Sequence, residues 1–594
     1  MVNITGLLTL RNIKKAFFTV RREGFSALLD KINIDIKLFK EYSLWIKQNQ
    51  EKSIAYQKDI KFSYTPKISI ITATYNPPLD ILKSTILSVL GQTYSNWELC
   101  IADGKSSPGV CKMLEEFRSK DSRIKVIFLE ENKGIAGNFN EGISLATGDY
   151  ISFLDHDDML SLNALFEVVR KINANPEAEI IYSDEDIMDS RGKRIRPLFK
   201  PDWSPDYLRS CNYICHFLVI KKTLLDEIGY FRNGFDGSQD YDLVLRLTEK
   251  SEKILHIPKV LYHWRYSPGS VLVSETSKPL AWENGKKALE EHIMRTGQEG
   301  RVEYGRGLYT YRVIYKIKGT PEVSIIIPNT NNKKGLEKCI NSILVKSTYK
   351  NYDIIIGENN SSEEEILSYY RQLENKGNIK IVIWDKPFNH SGINNLCARH
   401  TNAPFLLFIN NNTEVITPSW IENMLEHCQR KETGAVGAKL YYPDGKIQHA
   451  GIIIQGCGPV YAFEGFNGNS KGYMSRAVLI QNYSAVSGAC LLTRKEVFEE
   501  VGGFDENLAS AYNDVDYCIK LREKGYLIVW TPYSELFHYE KKTRTGDITR
   551  KKTDILKKEL EYLKNKWKNI FDRTDPYYNP NLHSEKGNFA LNIK

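Results

Sequence analysis

The chain has 594 residues, more than one hydrophobic core fills, so two to four domains are expected. Hydrophobic residues at 42% and charged residues at 26% are ordinary for a globular protein and exclude disordered, collagen-like and coiled-coil classes. The net charge of +8 favours anionic partners such as lipid headgroups or a diphosphate-linked acceptor, and no zinc-finger, helix-turn-helix or RNA-binding signature speaks for nucleic acid.

Neither a long uninterrupted apolar run nor a secretory signal is present, so the reading is a cytoplasmic protein. The ten cysteines suit free buried thiols rather than a disulfide framework. The tightest cluster, Cys211, Cys215 and His216, would be half a zinc site, but no partner pair of suitable spacing follows it.

In chain order, residues 1–60 come first, with Leu7, Leu10, Ile13, Phe17 and Val20 at helical spacing among Arg11, Lys14, Lys15, Arg21 and Arg22. Two readings stand: a basic amphipathic helix giving peripheral contact with the inner face of the cell membrane, or a helix packed on the next domain. Ile68–Thr72 then reads as a buried strand, Leu79–Leu90 as a helix and Trp97–Ala102 as the next strand. Alternating strands and helices argue for an α/β, Rossmann-like architecture with a mostly parallel sheet, binding its ligand at the carboxyl ends of the strands.

The pattern then repeats. A shift of 255 residues carries Ser69 onto Ser324, Thr93 to Glu98 onto Thr348 to Asp353, and Phe153 to Asp157 onto Phe408 to Asn412. With small length changes, Asp240 and Asp242 pair with Asp514 and Asp516, and Tyr262-His263-Trp264 with Phe537-His538-Tyr539. The chain is therefore read as an N-terminal helical segment (1–60), two copies of one domain (61–315 and 316–550) and a C-terminal helix with a loose tail (551–594).

The chemistry concentrates after the strand Tyr150 to Leu154, which delivers Asp155, His156, Asp157 and Asp158 at its carboxyl end. Adjacent carboxylates repel unless a cation neutralises them, and a hard divalent ion, Mg²⁺ or Mn²⁺, is the natural occupant. Such an ion would stabilise charge on a departing diphosphate.

Ile70 to Asn76, Ser88 to Tyr94, Ile101 to Gly104 and Asp155-His156-Asp157 together resemble the family 2 inverting glycosyltransferases of GT-A fold, over roughly residues 66–275 and 321–545. The resemblance implies a nucleotide-diphosphate sugar donor, a divalent metal and inversion at the anomeric carbon. It places Ala73, Tyr75 and Asp103 in the nucleoside pocket, with Thr330 and Glu358 in the second copy. Asp155 would face ribose or metal, and Asp157 would bind the metal. Asp240 is the favoured base for the acceptor hydroxyl and Asp242 the alternative; either could instead cap a helix. His263 is a further metal contact or a structural histidine.

In the second copy the acidic motif becomes Asn410-Asn411-Asn412, which should weaken metal binding; Glu414 could partly compensate, with His538 beside it. Asp514 keeps the position of the base. The copy either transfers a sugar through an unusual metal site or holds the glycan acceptor. By the same resemblance, the chain would add dTDP-rhamnose- or UDP-hexose-derived sugars to a lipid-linked oligosaccharide of an O-antigen, capsule or rhamnose-rich polysaccharide.

Overall fold

The computed structural model describes residues 39–49, 57, 60–266, 279–375, 377–539, 550–583 and 585–593. The basic helical pattern from Leu7 to Arg22 lies outside the described residues. The first helix described, 39–49, buries Tyr42 and Trp45, which stack on each other at 5.6 Å and meet Phe199.

The first sheet is built from β1 (Ile68–Thr74), β2 (Trp97–Asp103), β3 (Ile124–Phe128), β4 (Tyr150–Phe153), β5 (Met159–Leu160), β6 (Ile180–Met188), β7 (Arg194–Leu198), β8 (Leu218–Lys221) and β9 (Ile254–Arg265). Its order is β3-β2-β1-β4-β8-β6-β9-β5, with β7 on β6. The β3-β2-β1-β4 half is parallel, and β8 reverses direction beside β4. All seven residues of β1 are buried, as a parallel strand covered on both faces requires. The helix Leu79–Leu90 covers one face through Leu82, Ile86 and Val89, an i, i+4, i+7 stripe.

A hairpin of β10 (Gly300–Tyr304) and β11 (Tyr311–Tyr315) closes the first copy, and its Val302, Tyr311 and Val313 share a core with Tyr241. The second sheet follows: β12 (Val323–Asn329), β13 (Tyr352–Glu358), β14 (Ile379–Ile383), β15 (Phe405–Ile409), β16 (Thr413–Val415), β17 (Thr433–Tyr441) and β18 (Ile447–His449), then β21 (Gln481–Asn482), β22 (Cys490–Arg494) and β23 (Leu527–His538). Between β18 and β21 lies a separate hairpin, β19 (Ile452–Gln455) with β20 (Gly458–Tyr461). The order β14-β13-β12-β15-β22-β17-β23-β16 reproduces the first sheet strand for strand.

The repeat extends to hydrogen bonds. Asn76 and Asn331 both take positive φ and both tie down the serines after the second strand, Ser107 N–H donating to Asn76 and Ser362 N–H to Asn331. Asn140 exchanges two bonds with the Phe231 backbone, and Asn395 does the same with Phe504. The copies differ between β6 and β8, where the connection runs over 189–217, against 442–489 between β17 and β22. β18 on β17 repeats β7 on β6, and the extra length supplies β19 to β21.

The copies are not strung loosely. Asp206 and Arg430, both 2% exposed, pair at 2.8 Å across the seam. Asn482 accepts from Ser204 and Asp206 and donates back to the Asp206 carboxylate. The segment after the terminal helices is docked rather than loose, correcting the expectation for 551–594. Asn579 donates to both oxygens of Asp184, Asp575 accepts from Ile454 N–H, and Asp202 N–H donates to the Pro576 carbonyl.

Candidate active site

The first site is assembled at the carboxyl edge of β1, β2 and β4. Asp103 ends β2 fully buried, its carboxylate accepting from Thr74 Oγ1 at 2.8 Å and from Ser106 N–H at 2.9 Å. It shapes the turn that follows; Glu358 does the same for Ser361 in the second copy. Ala73 is 9% exposed and offers its carbonyl to His156, while Tyr75 stands 51% exposed at the mouth.

Beyond β4, Asp155 is half-exposed and Asp158 fully buried, its oxygens accepting from the Tyr262 hydroxyl at 2.6 Å and Arg265 N–H at 2.7 Å. Burial first, then the charge of Asp155, pushes the Asp157 carboxyl up; the same causes, with Asp157 added, raise Asp158 well above the usual range. Ligand atoms of Asp155, Asp158 and His216 come within 4.8 Å of one another. Carboxylates with one imidazole fit Mg²⁺ or Mn²⁺, and a cation would relieve the repulsion that raises Asp157 and Asp158.

His216 comes from the cluster read as a lone half-site. Its ring stacks on Tyr262 at 4.5 Å, and Nδ1 lies 3.1 Å from Glu185. The same loop supplies Asn212, whose amide donates to Asp240 at 2.9 Å. Burial raises the Asp240 carboxyl, opposed by His216. The alternative, Asp242, is fully buried and ion-paired with Arg232 and Arg246, an anchor for its helix rather than a group facing ligand. The sequence signal for Asn212 and His216 was their place in one short loop, which metal-ligand spacing alone does not reveal.

The strand register corrects the pairing of the histidines. Met159 opposes His263 on β9, whereas Glu414, the counterpart of Met159 under the repeat shift, opposes Phe537 on β23. His263 thus matches Phe537, and His538 matches Trp264. A one-residue slip along a strand changes the face. Tyr262 points to Asp158, so His263 points away, to Asp186 at 2.7 Å. It does not join the ligand cluster. Asp186 also takes the Tyr42 hydroxyl of the first helix at 2.5 Å.

The second site is a cleft of about 930 Å³ that gathers Thr330, Asn410, Asn411, Asn412, Asp514 and His538 among its lining residues. Asn411 donates to Asn329 at 2.6 Å, and Asp514 accepts from Gly488 and Val515 N–H, both at 2.8 Å. Glu414 does not compensate for the lost acids. It sits on edge strand β16, where Lys338 and Lys346 pair with it at 3.0 Å and Tyr539 donates to it, holding its carboxyl at about 2.

Three histidines here have N–H donors aimed at a ring nitrogen, which is the neutral form's arrangement. Asn513 and Asn394 approach His390 Nδ1 at 3.0 and 3.1 Å, Ser487 N–H donates to His449 Nε2 at 3.1 Å, and Asn410 lies 3.3 Å from His538 Nε2. Burial brings all three down to about 4.

The family model for glycosyl transferase family 2 matches residues 69–229 and 324–502. The chain belongs to that family. It is 43% identical over 535 residues to the uncharacterized protein y4gI of Sinorhizobium fredii, covering 89% of this chain and 58% of that one. It is 35% identical over 549 residues to the O-antigen biosynthesis protein RfbC of Myxococcus xanthus, covering 91% and 42%. The chain thus spans about half the length of these two relatives. A shorter match, 34% over 183 residues, covers 30% of this chain and 69% of the Escherichia coli UDP-Glc:alpha-D-GlcNAc-diphosphoundecaprenol beta-1,3-glucosyltransferase WfgD. Two tandem α/β domains of GT-A type therefore make up most of the molecule.

Proposed function

We propose that the first copy transfers a sugar, with inversion, from a nucleotide-diphosphate donor to a lipid-linked bacterial surface polysaccharide. The observation that carries this reading is the convergence of Asp155, Asp158 and His216 with the partly buried base candidate Asp240 beside one strand edge. The names of the Myxococcus and Escherichia coli relatives support a polysaccharide product and a diphospho-lipid acceptor. dTDP-rhamnose and UDP-hexoses are the donor classes.

Asp240 takes the proton of the attacking hydroxyl. Its raised affinity for protons suits a base, and Asn212 fixes its direction. Thr74, Asp103 and Ser106 hold the turn against which the nucleoside lies, with Ala73 and Tyr75 beside it. Asp155, Asp157, Asp158 and His216 would hold a divalent ion, which neutralises charge on the departing diphosphate. Asp157→Ala should lower transfer by roughly a thousandfold with the fold retained; unchanged turnover would overturn the site.

The second reading concerns the second copy alone. Its Asn410-Asn411-Asn412 motif and the sequestered Glu414 favour a copy that binds the glycan acceptor without transferring sugar. For location, no helix among the described residues is long and apolar enough to cross a membrane. Peripheral attachment at the inner face through the basic segment 1–25 is the proposal, tested by whether deleting it abolishes binding to anionic liposomes.

A further inference from the structure

The second cleft differs from the first in the charge it offers. Around it, Asp514, Glu464 and Glu585 stand against a single lysine, Lys586, while amides and imidazoles supply the rest of the polar lining. A nucleoside diphosphate placed there would meet carboxylates with no cluster of metal-ligating groups to offset them; among the described residues, both such clusters lie in the first copy. A neutral polyol has no such problem. Side-chain amides can donate and accept at once, which suits the paired hydroxyls of a pyranose.

One wall of the cleft has no counterpart in the first copy. The β19–β20 hairpin brings Ile452, Pro459, Val460 and Tyr461 to the cleft, giving it an apolar side. Facing solvent at its mouth is Phe388, 52% exposed, at the position that the repeat shift assigns to Lys133 in the first copy. A cavity with an apolar side, an exposed ring and convergent amides is the composition of a small-molecule site with a neutral ligand. The exposed ring offers a flat apolar face to the C–H face of a sugar.

We infer that the second copy's cleft is a cation-free carbohydrate-binding site that holds a neutral sugar unit of the growing glycan. The inference rests on the proposed glycan-building role and gives the second copy its ligand class. Phe388 and Tyr461 supply the apolar contact, the Asn410 to Asn412 amides bind hydroxyls, and Asp514 accepts from one of them.

The test uses the full chain in EDTA, with saturation-transfer NMR against the methyl glycosides of glucose, galactose, rhamnose and N-acetylglucosamine. At least one should give a signal, with affinity roughly tenfold weaker in Phe388→Ala and unchanged in Asp157→Ala. Phe388 is exposed, so that variant should keep the wild-type circular dichroism. Silence from all four glycosides, or a signal that survives Phe388→Ala and vanishes in Asp157→Ala, overturns the inference. In parallel, dialysis with UDP should find a single Mn²⁺ per chain; two would overturn the cation-free assignment. Full transfer activity in Asp157→Ala with the glycoside signal intact would sink the first-copy reading and leave this one standing.

Discussion

In the first copy, His216, His256 and His263 each face a carboxylate: Glu185, Asp184 and Asp186. In the second, His390 and His538 have amide neighbours and His449 a backbone N–H. Yet the groups that set the backbone are retained, from Asn76 and Asn331 to Asn140 and Asn395. The residues that hold the GT-A scaffold are thus a different set from those that give its edge a charge. A duplicated domain can therefore exchange ionic chemistry for neutral hydrogen bonding without rebuilding the sheet.

The sharpest way to break this comparison is to neutralise the matching acids. Asp240→Asn should lower turnover by about 10²–10⁴-fold with donor binding retained, while Asp514→Asn should change turnover at saturating acceptor by less than about twofold. Equal losses in the two variants, measured as product formed and donor bound, would mean that both copies catalyse.

The seam between the copies comes next in size. Arg430→Ala leaves the Asp206 carboxylate buried without its main partner and should cost about 3–5 kcal/mol in denaturant unfolding. If the variant unfolds at the wild-type midpoint, the copies are independent bodies.

Acid should separate the copies too. Burial holds His390 and His449 at about 4, below the unfolded value near 6.5. The unfolded chain then takes up protons first as pH falls, so this stability is complete above about pH 6.5 and is lost on the way to pH 4. Each histidine contributes up to about 3 kcal/mol. Tryptophan fluorescence and hydrogen exchange between pH 7 and 4 should show the second copy loosening ahead of the first; the reverse order would contradict the neutral assignment.

The smallest effect expected is at the docked tail. Asn579→Ala removes the amide that serves Asp184 and should cost about 1–3 kcal/mol, read from the thermal midpoint.

Much of this was legible in the sequence because repetition is a strong signal: the 255-residue shift assigns sheet positions for Asp103, Glu358, Asp155 and Asn410 without any geometry. What escaped depends on alternation and on distance. His263 and His538 look equivalent in their aromatic triplets, but only hydrogen-bond register shows which face each takes. His216 and Asn212 reach the first site through a connection between strands, where no periodicity guides the eye. Glu414 looked like a spare acid until edge strand β16 placed it between two lysines. The tail from Asp575 onward is polar and proline-bearing, a composition that reads as loose unless its buried partners are known.

Asp184 also sets a clock on synthesis. It lies in the middle of β6, yet Asn579, the amide that completes its hydrogen bonds, is 395 residues further along the chain. At about 5–20 residues per second, a ribosome needs roughly 20–80 s to bring that partner out. Through that interval the nascent first copy has His256 and the Lys200 N–H for Asp184 but not the amide that closes the site. Arg430, the partner of Asp206, is also delayed, though less. The first copy therefore matures only once residue 579 has emerged, and a chain cut short before it would release a first copy with the Asp184 carboxylate lacking that amide.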